Sequence, residues 1–211
     1  MLEGIRHRIM THGWRVMLLF ALAIGAGCTL PQDNSPPPQA YLLGGSRAFT
    51  STLAQRPSGK ILLVTVSKEA PGFDSQRIAY TREPPKLDYY NNSVWSDTPA
   101  KMLSPLLVRA FEATGAFKAV VSPPSPVLAD LRVDVDLIRL QQEFMIPPSR
   151  VRLTTRIKVM DMKSGHVLGT RIFEAVEPSP SEDAYGGAQA ANAAVQKLLD
   201  EMTAFALSYL E

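Results

Sequence analysis

A run of ten residues, "LRVDVDLIRL" at 131–140, constrains the fold of this chain more firmly than any other stretch. Leu131, Val133, Val135 and Leu137 alternate with Arg132, Asp134 and Asp136, the period of a strand with one apolar and one polar face. The apolar set then changes phase to Ile138 and Leu140. A phase change inside a strand turns every later side chain to the other face, so the pattern predicts a β-bulge near Leu137–Ile138. Val151, Leu153, Ile157 and Val159 carry the alternation into a second strand. "DMKSGHV", with Ser164-Gly165 at its tip, makes a tight turn into a third, Val167–Val176. Together these predict an antiparallel three-strand meander.

Two helices can cover such a sheet. In Asp183–Leu210 the residues Ala191, Val195, Leu198, Met202, Phe205 and Tyr209 recur at spacings of four and three. Leu199, Ala206 and Leu210 widen that stripe beyond a coiled-coil seam, so this helix is expected to lie on the sheet. Gly186-Gly187 reads as its flexible beginning. The second helix opens at Thr98-Pro99, Thr as cap and Pro at the first helical position, and stops at Gly115. Its stripe is Met102, Leu103, Leu106, Leu107, Ala110 and Phe111, and Pro105 inside it predicts a kink or a displaced start. Lys60–Val66 is a continuous apolar run, the pattern of a strand covered on both faces. Tyr41–Leu43 reads as a short strand, and Ile78–Arg82 with Leu87–Tyr90 as hairpin arms around Pro84-Pro85. The fold class that results is α+β, layered: a mixed, largely antiparallel sheet with a C-terminal three-strand meander, packed by two main helices. Residues 41–211 are expected to form one globular domain, large enough to build a core without disulfide staples.

The first forty residues have a different character. Val16–Gly27 holds twelve uncharged, mostly apolar residues, short of the roughly 20 that span a bilayer. Arg6, Arg8 and Arg15 precede it against Glu3 alone, and Gly25, Ala26 and Gly27 close it, the order of a secretory signal. Residues 1–27 are therefore expected to be removed on export by cleavage between Gly27 and Cys28. Cys28 is the only cysteine in the chain, and a Pro-, Gln- and Ser-rich linker extends behind it to Ala40. Two readings stand: an ordinary signal peptide with a free thiol, or a modified cysteine. The segment resembles the lipobox of bacterial lipoprotein precursors, with Gly25 where Leu is usual, and that resemblance implies a covalent lipid on Cys28 (diacylglycerol with an acyl chain such as palmitate). Thr29, which is not Asp, resembles the sorting rule for the outer membrane; retention in the inner membrane is the alternative.

Charge and residue types exclude several functions. Without residues 1–27 the totals of 22 basic and 20 acidic residues fall to 19 of each. No basic stripe interleaved with aromatics is present, so nucleic acid is not an expected partner. Beyond the signal His166 is the single histidine, which cannot assemble the three or four ligands of a zinc site. Gly186-Gly187 lacks the pattern of a phosphate-binding loop. Asp134 and Asp136 share a strand face and read as a solvated surface paired with Arg132, Arg139, Arg150, Arg152 and Arg156. No metal, cofactor or catalytic group is expected, and the chain does not read as an enzyme.

What the polar background does concentrate is an aromatic and cationic segment: Arg77, Tyr80, Arg82, Tyr89, Tyr90 and Trp95. Tyr, Trp and Arg dominate binding hot spots, which makes these six the candidate partner surface, with one or two of them absorbed by the core. The stretch "APGFDSQRIAYTREPPKLDYYNNSVWSDTPAKMLSPLLVRAFEATGAFKAVV" in which they sit resembles the PqiC-like, ABC-type transport auxiliary lipoproteins. The resemblance rests on the order of the Leu-rich strand, the Pro-Gly turn, the Arg-Ile-Ala-Tyr and Tyr-Tyr arms, Trp95, and the helix ending at Gly115-Ala116-Phe117. It implies a non-enzymatic, periplasm-facing lipoprotein that works with a mammalian-cell-entry (MCE) domain protein, a permease and an ATPase in lipid transport between the inner and outer membranes. It also implies a homo-oligomeric ring. Two other functions fit the residues: an outer-membrane lipoprotein that activates a cell-wall synthase, and a periplasmic lipid carrier with a cavity lined by Phe144, Met145, Met160 and Met162.

Overall fold

The computed structural model describes residues 36–44 and 58–210. The signal, Gly27, Cys28 and most of the linker lie outside the described residues. The elements are β1 (Gln39–Tyr41), β2 (Ile61–Glu69), β3 (Arg77–Thr81), β4 (Asp88–Trp95), α1 (Pro99–Ala113), β5 (Ala119–Val121), β6 (Leu131–Glu143), β7 (Arg150–Asp161), β8 (Val167–Pro178) and α2 (Ala184–Leu207).

β6 is the spine of the sheet. β7 pairs antiparallel along its whole length, and β8 pairs antiparallel with β7. The other edge of β6 is shared end to end by two strands: β2 runs parallel against Leu131–Leu137, and β3 runs parallel against Gln141–Glu143. β5 extends the β2 half, while β4 and then β1 extend the β3 half. The sheet is thus mixed, with its two longest pairings antiparallel, and its C-terminal part is the expected meander.

The bulge falls where the phase change put it. Leu137 faces Thr155 and Arg139 faces Thr154, so Ile138 is the extra residue. Its insertion keeps Leu140 and Gln142 on the same face as Leu131–Leu137. Both helices cover that face: α1 lies on β2 and β5, α2 on β7 and β8, and the helices touch each other. Leu62, Val64, Leu107, Phe111, Val133, Val135, Ile157, Ala194 and Leu198 are essentially inaccessible within one core. The expectation that Lys60–Val66 is covered on both faces is corrected, because Ile61, Leu63 and Thr65 on the helix-free face stay partly exposed. β1 also sits two residues earlier than expected: Leu42 is exposed, and Gln39 and Ala40, assigned to the linker, pair with Ser93 and Val94.

The helix ends show how local chemistry fixes the frame. Thr98 makes no side-chain cap; the Asp97 carboxylate accepts from the Thr98 N–H at 2.7 Å, and Glu69 at the end of β2 accepts from the Ala100 N–H at 2.6 Å. α1 runs unbroken through Pro105 with its start unmoved, and Gly115, at φ 63°, takes the left-handed conformation that ends it. Asp183 caps α2 by accepting from the Gly186 N–H at 2.8 Å, the contact that most holds its carboxyl below the usual range; the Ser181 hydroxyl adds a second donor. Gly186 and Gly187 are not a flexible beginning. They are buried inside the helix, where a Cβ would stand 2.3 Å from the Ser181 carbonyl oxygen and 2.2 Å from Gln142 Oε1 respectively.

Candidate functional site

The strand alternation divides the aromatic segment between two faces. Ala79 pairs with Tyr89 and Tyr80 with Asp88, so Tyr80 and Tyr90 share the helix side of the β3–β4 hairpin while Tyr89 faces the other way. On that outer face the Arg77 guanidinium lies 3.6 Å over the Tyr89 ring, whose hydroxyl donates to the Gly72 carbonyl at 3.1 Å. On the helix side Tyr80 packs on Tyr90 at 4.8 Å between ring centroids and on Phe144 at 5.8 Å. Arg82 covers this group, 4.5 Å over the Phe144 ring. Trp95 is taken by the core, 3% exposed, and does not belong to a partner surface. The six residues therefore do not form one continuous patch.

Beneath Tyr90 lies a polar knot that the sequence reading missed. Gln142 is 2% exposed. Its Oε1 accepts from the Tyr90 hydroxyl at 2.9 Å, and its Nε2 donates to Ser149 Oγ at 2.9 Å and Ser179 Oγ at 3.3 Å. Burial pushes the Tyr90 phenol up to about 12, with Arg82 opposing that shift, so the hydroxyl stays a donor at any physiological pH. This satisfied network ties the ends of β6 and β8 to the beginnings of β4 and β7 at one end of the sheet, its head, and Gly187 of α2 packs against it. A signal was present: after the bulge, Gln142 occupies the apolar phase that Leu140 begins.

The helix-free face carries charge. Asp134 was expected on a solvated face; it is buried, held by Arg132 at 2.6 Å and Lys158 at 3.7 Å, because β6 is central and its neighbours' long side chains lie across it. Asp136 meets Arg156 at 3.8 Å. Arg152 bridges Glu143 and Glu174. Burial alone would raise the Glu143 carboxyl, yet hydrogen bonds from Arg152 and Gln141 hold it below its ordinary value. Every acid here is matched by a base, the signature of a structural lattice. Among the described residues no group of three or more His, Cys, Asp or Glu could hold a metal ion.

The methionines expected to line a lipid cavity do not meet. Met145 and Met162 are 44% and 42% exposed, and they lie at opposite ends of the meander. The crevice under the sheet between Ile78, Trp95, Leu140, Val151 and Ala191 offers about 10 Å³, room for one water at most and none for an acyl chain. Among the described residues no helix is long and apolar enough to cross a membrane.

Comparison with known proteins agrees with this geometry. Residues 41–203 match the model of the ABC-type transport auxiliary lipoprotein component family. No curated protein matches in sequence. Among solved structures, protein XCC0632 from Xanthomonas campestris superposes with a TM-score of 0.68 at 24% identity, over 80% of this chain and 93% of its own. An uncharacterized protein gives 0.61 at 13% identity, over 82% and 99%. The hypothetical protein CT253 from Chlamydia trachomatis gives 0.50 at 11%, over 72% and 97%. These likenesses establish a shared fold. With the family model spanning β2 to β8, α1 and most of α2, the chain belongs to the ABC-type transport auxiliary lipoproteins.

Proposed function

We propose that this protein is a lipid-anchored, periplasm-facing docking subunit of an ABC transporter built on an MCE-domain protein, a permease and an ATPase, and that it supports lipid movement between the inner and outer membranes. The family match over residues 41–203 carries this reading. The architecture supports it: a rigid, charge-balanced domain with matched ion pairs is suited to holding partners and not to bond chemistry. Cys28 carries the lipid, Thr29 directs the protein to the outer membrane, and the Arg77–Tyr89 pair on the helix-free face is the contact for the transporter. Copies of the chain assemble as a ring around that partner.

The test is a detergent pull-down of the tagged protein from its native membranes, wild type against Cys28→Ala, with partners identified by mass spectrometry. Recovery of an MCE protein with its permease and ATPase, weakened in the variant, is the expected result. Recovery of a cell-wall synthase, or a partner set unchanged by Cys28→Ala, would overturn it.

A further inference from the structure

The β6–β7 connection at the head of the sheet is an exposed apolar tip. Phe144 anchors it, Met145 and Ile146 are 44% and 59% exposed, and Pro147-Pro148 completes it. Behind Ile146 an open cleft of about 220 Å³ is lined by Pro147, Pro148, Arg150, Val176 and Pro178. Arg82, stacked on Phe144, and Arg150 flank the tip, with Glu83 and the Lys86–Asp88 ion pair beside them. Apolar side chains beyond an aromatic ring, with the Arg82 guanidinium at ring level and Arg150 at the cleft, form the profile of a membrane-interface contact: the greasy groups enter the acyl boundary and the cations meet lipid phosphates.

The direction of β1 says which end of the domain can meet a membrane. β1 runs parallel to β4, with Gln39 level with Ser93, so the chain enters the sheet from the side on which β4 begins, the head. Because β4 is bulged between Tyr89 and Val94, Ser93 stands about level with Ile78 and Asp88 with Tyr80, so Gln39 lies only two residues of β3, about 7 Å at ~3.4 Å per residue, from the level at which β4 begins. The ten residues Thr29–Pro38 reach up to ~31 Å when extended. The opposite end also shows apolar side chains, Val127, Leu128, Met162 and Val167, with Leu128 92% exposed. To bring that end to the membrane the linker would have to double back along the sheet. Through β4 and β3, Gln39 stands about level with Leu140, and Leu131 lies nine residues of β6 further down, about 31 Å away. That retreat would consume its whole length before Leu128 was reached.

We propose that the Phe144–Pro148 tip rests in the interfacial layer of the membrane that holds the Cys28 lipid, so that the domain stands head-down on the bilayer with its Leu128 end turned away. The inference rests on the lipid anchor of the proposed function, and the experiment separates the two. Protein purified from membranes is reconstituted into vesicles of phosphatidylethanolamine and phosphatidylglycerol, with or without bromine on the acyl chains, as wild type, Ile146→Trp and Leu128→Trp. Both positions are exposed, and Trp95 in the core supplies a constant background. Brominated lipid should quench and blue-shift the emission of Ile146→Trp and leave wild type and Leu128→Trp unchanged. Quenching of Leu128→Trp in place of Ile146→Trp, or of neither in protein that floats with the vesicles, overturns the proposal; the latter would make the tip a protein contact. The mass of the N-terminal peptide reports the anchor itself. Where Cys28 proves unmodified, the anchor reading fails, and coupling that thiol to a maleimide phospholipid in the same vesicles gives the tip the same quenching test with the same two outcomes.

Discussion

Replacing Gly187 by Ala should destabilise this protein, although the same change in an ordinary helix does the reverse. Gly187 lies in the first turn of α2, and Ala there gains about 1 kcal/mol of helix propensity. Its Cβ, however, would stand 2.2 Å from Gln142 Oε1 and 2.9 Å from Gln142 Cδ, so the amide must retreat by about 1 Å to reach an ordinary contact. That amide is fixed on three sides by Tyr90, Ser149 and Ser179, and it is buried. Moving it weakens two buried hydrogen bonds at about 1–2 kcal/mol each, which after the propensity gain leaves a net loss of about 1–3 kcal/mol. Urea unfolding followed by far-ultraviolet circular dichroism measures it directly. Ala193→Gly on the exposed side of α2 calibrates propensity in this same helix. In a Gln142→Ala background the obstruction is gone, and Gly187→Ala should become neutral or stabilising; the coupling between the two positions should exceed the ~0.5 kcal/mol of independent sites. A Gly187→Ala protein as stable as wild type, or a double-mutant cycle without coupling, would refute the account of why glycine stands there.

Two further outcomes test the division of the aromatic segment. Trp95→Ala should cost about 3–5 kcal/mol, the range for emptying a buried aromatic site, whereas Tyr89→Ala should cost about 1 kcal/mol and weaken capture of the transporter partner; equal losses of stability would contradict the burial difference. The Glu143–Arg152 pair makes a prediction about acid. Because the Glu143 carboxyl is held below its unfolded value, it contributes stability that is complete above roughly pH 5 and is lost as pH falls through the depressed value. Glu143→Gln should therefore flatten the acid limb of a stability-against-pH curve while lowering stability at pH 7; an unchanged acid limb would count against the pair.

Where the fold was legible, the reason is periodicity. The Leu131–Leu140 phase break located the bulge to the Leu137–Ile138 pair, because a half-buried strand keeps Leu140 on the core side by inserting a residue there. α2 was legible for the same reason, its stripe being wider than the narrow seam of a coiled coil. The misplacement of β1 has a different origin. Tyr41, Leu42 and Leu43 look like a strand locally, but pairing with β4 decides the boundary, and the chain turns away at Leu42 to seat Leu43 in the core. Thr98 illustrates the same limit at a helix end, since the carboxylate that serves Ala100 comes from Glu69, thirty-one residues earlier.

The site was legible in composition and not in arrangement. Two adjacent tyrosines in a strand must face opposite ways, so the alternation of Tyr89 and Tyr90 already forbade a single patch, and the register of Ala79 with Tyr89 fixed which went where. The polar knot needed more: Gln142 meets Ser149 and Ser179, seven and thirty-seven residues on, and nothing local pairs them. Methionine and phenylalanine at 144–145 read equally well as core filler, and only the end of β6 reveals that Met145 lies beyond the sheet. What turns that exposed tip from an oddity into a prediction is a vector: the strand that begins the domain comes from the same end. In the proposed docking role, the protein acts through where it holds its surfaces. For this chain the direction of three residues, Gln39–Tyr41, therefore carries as much functional information as the aromatic segment does.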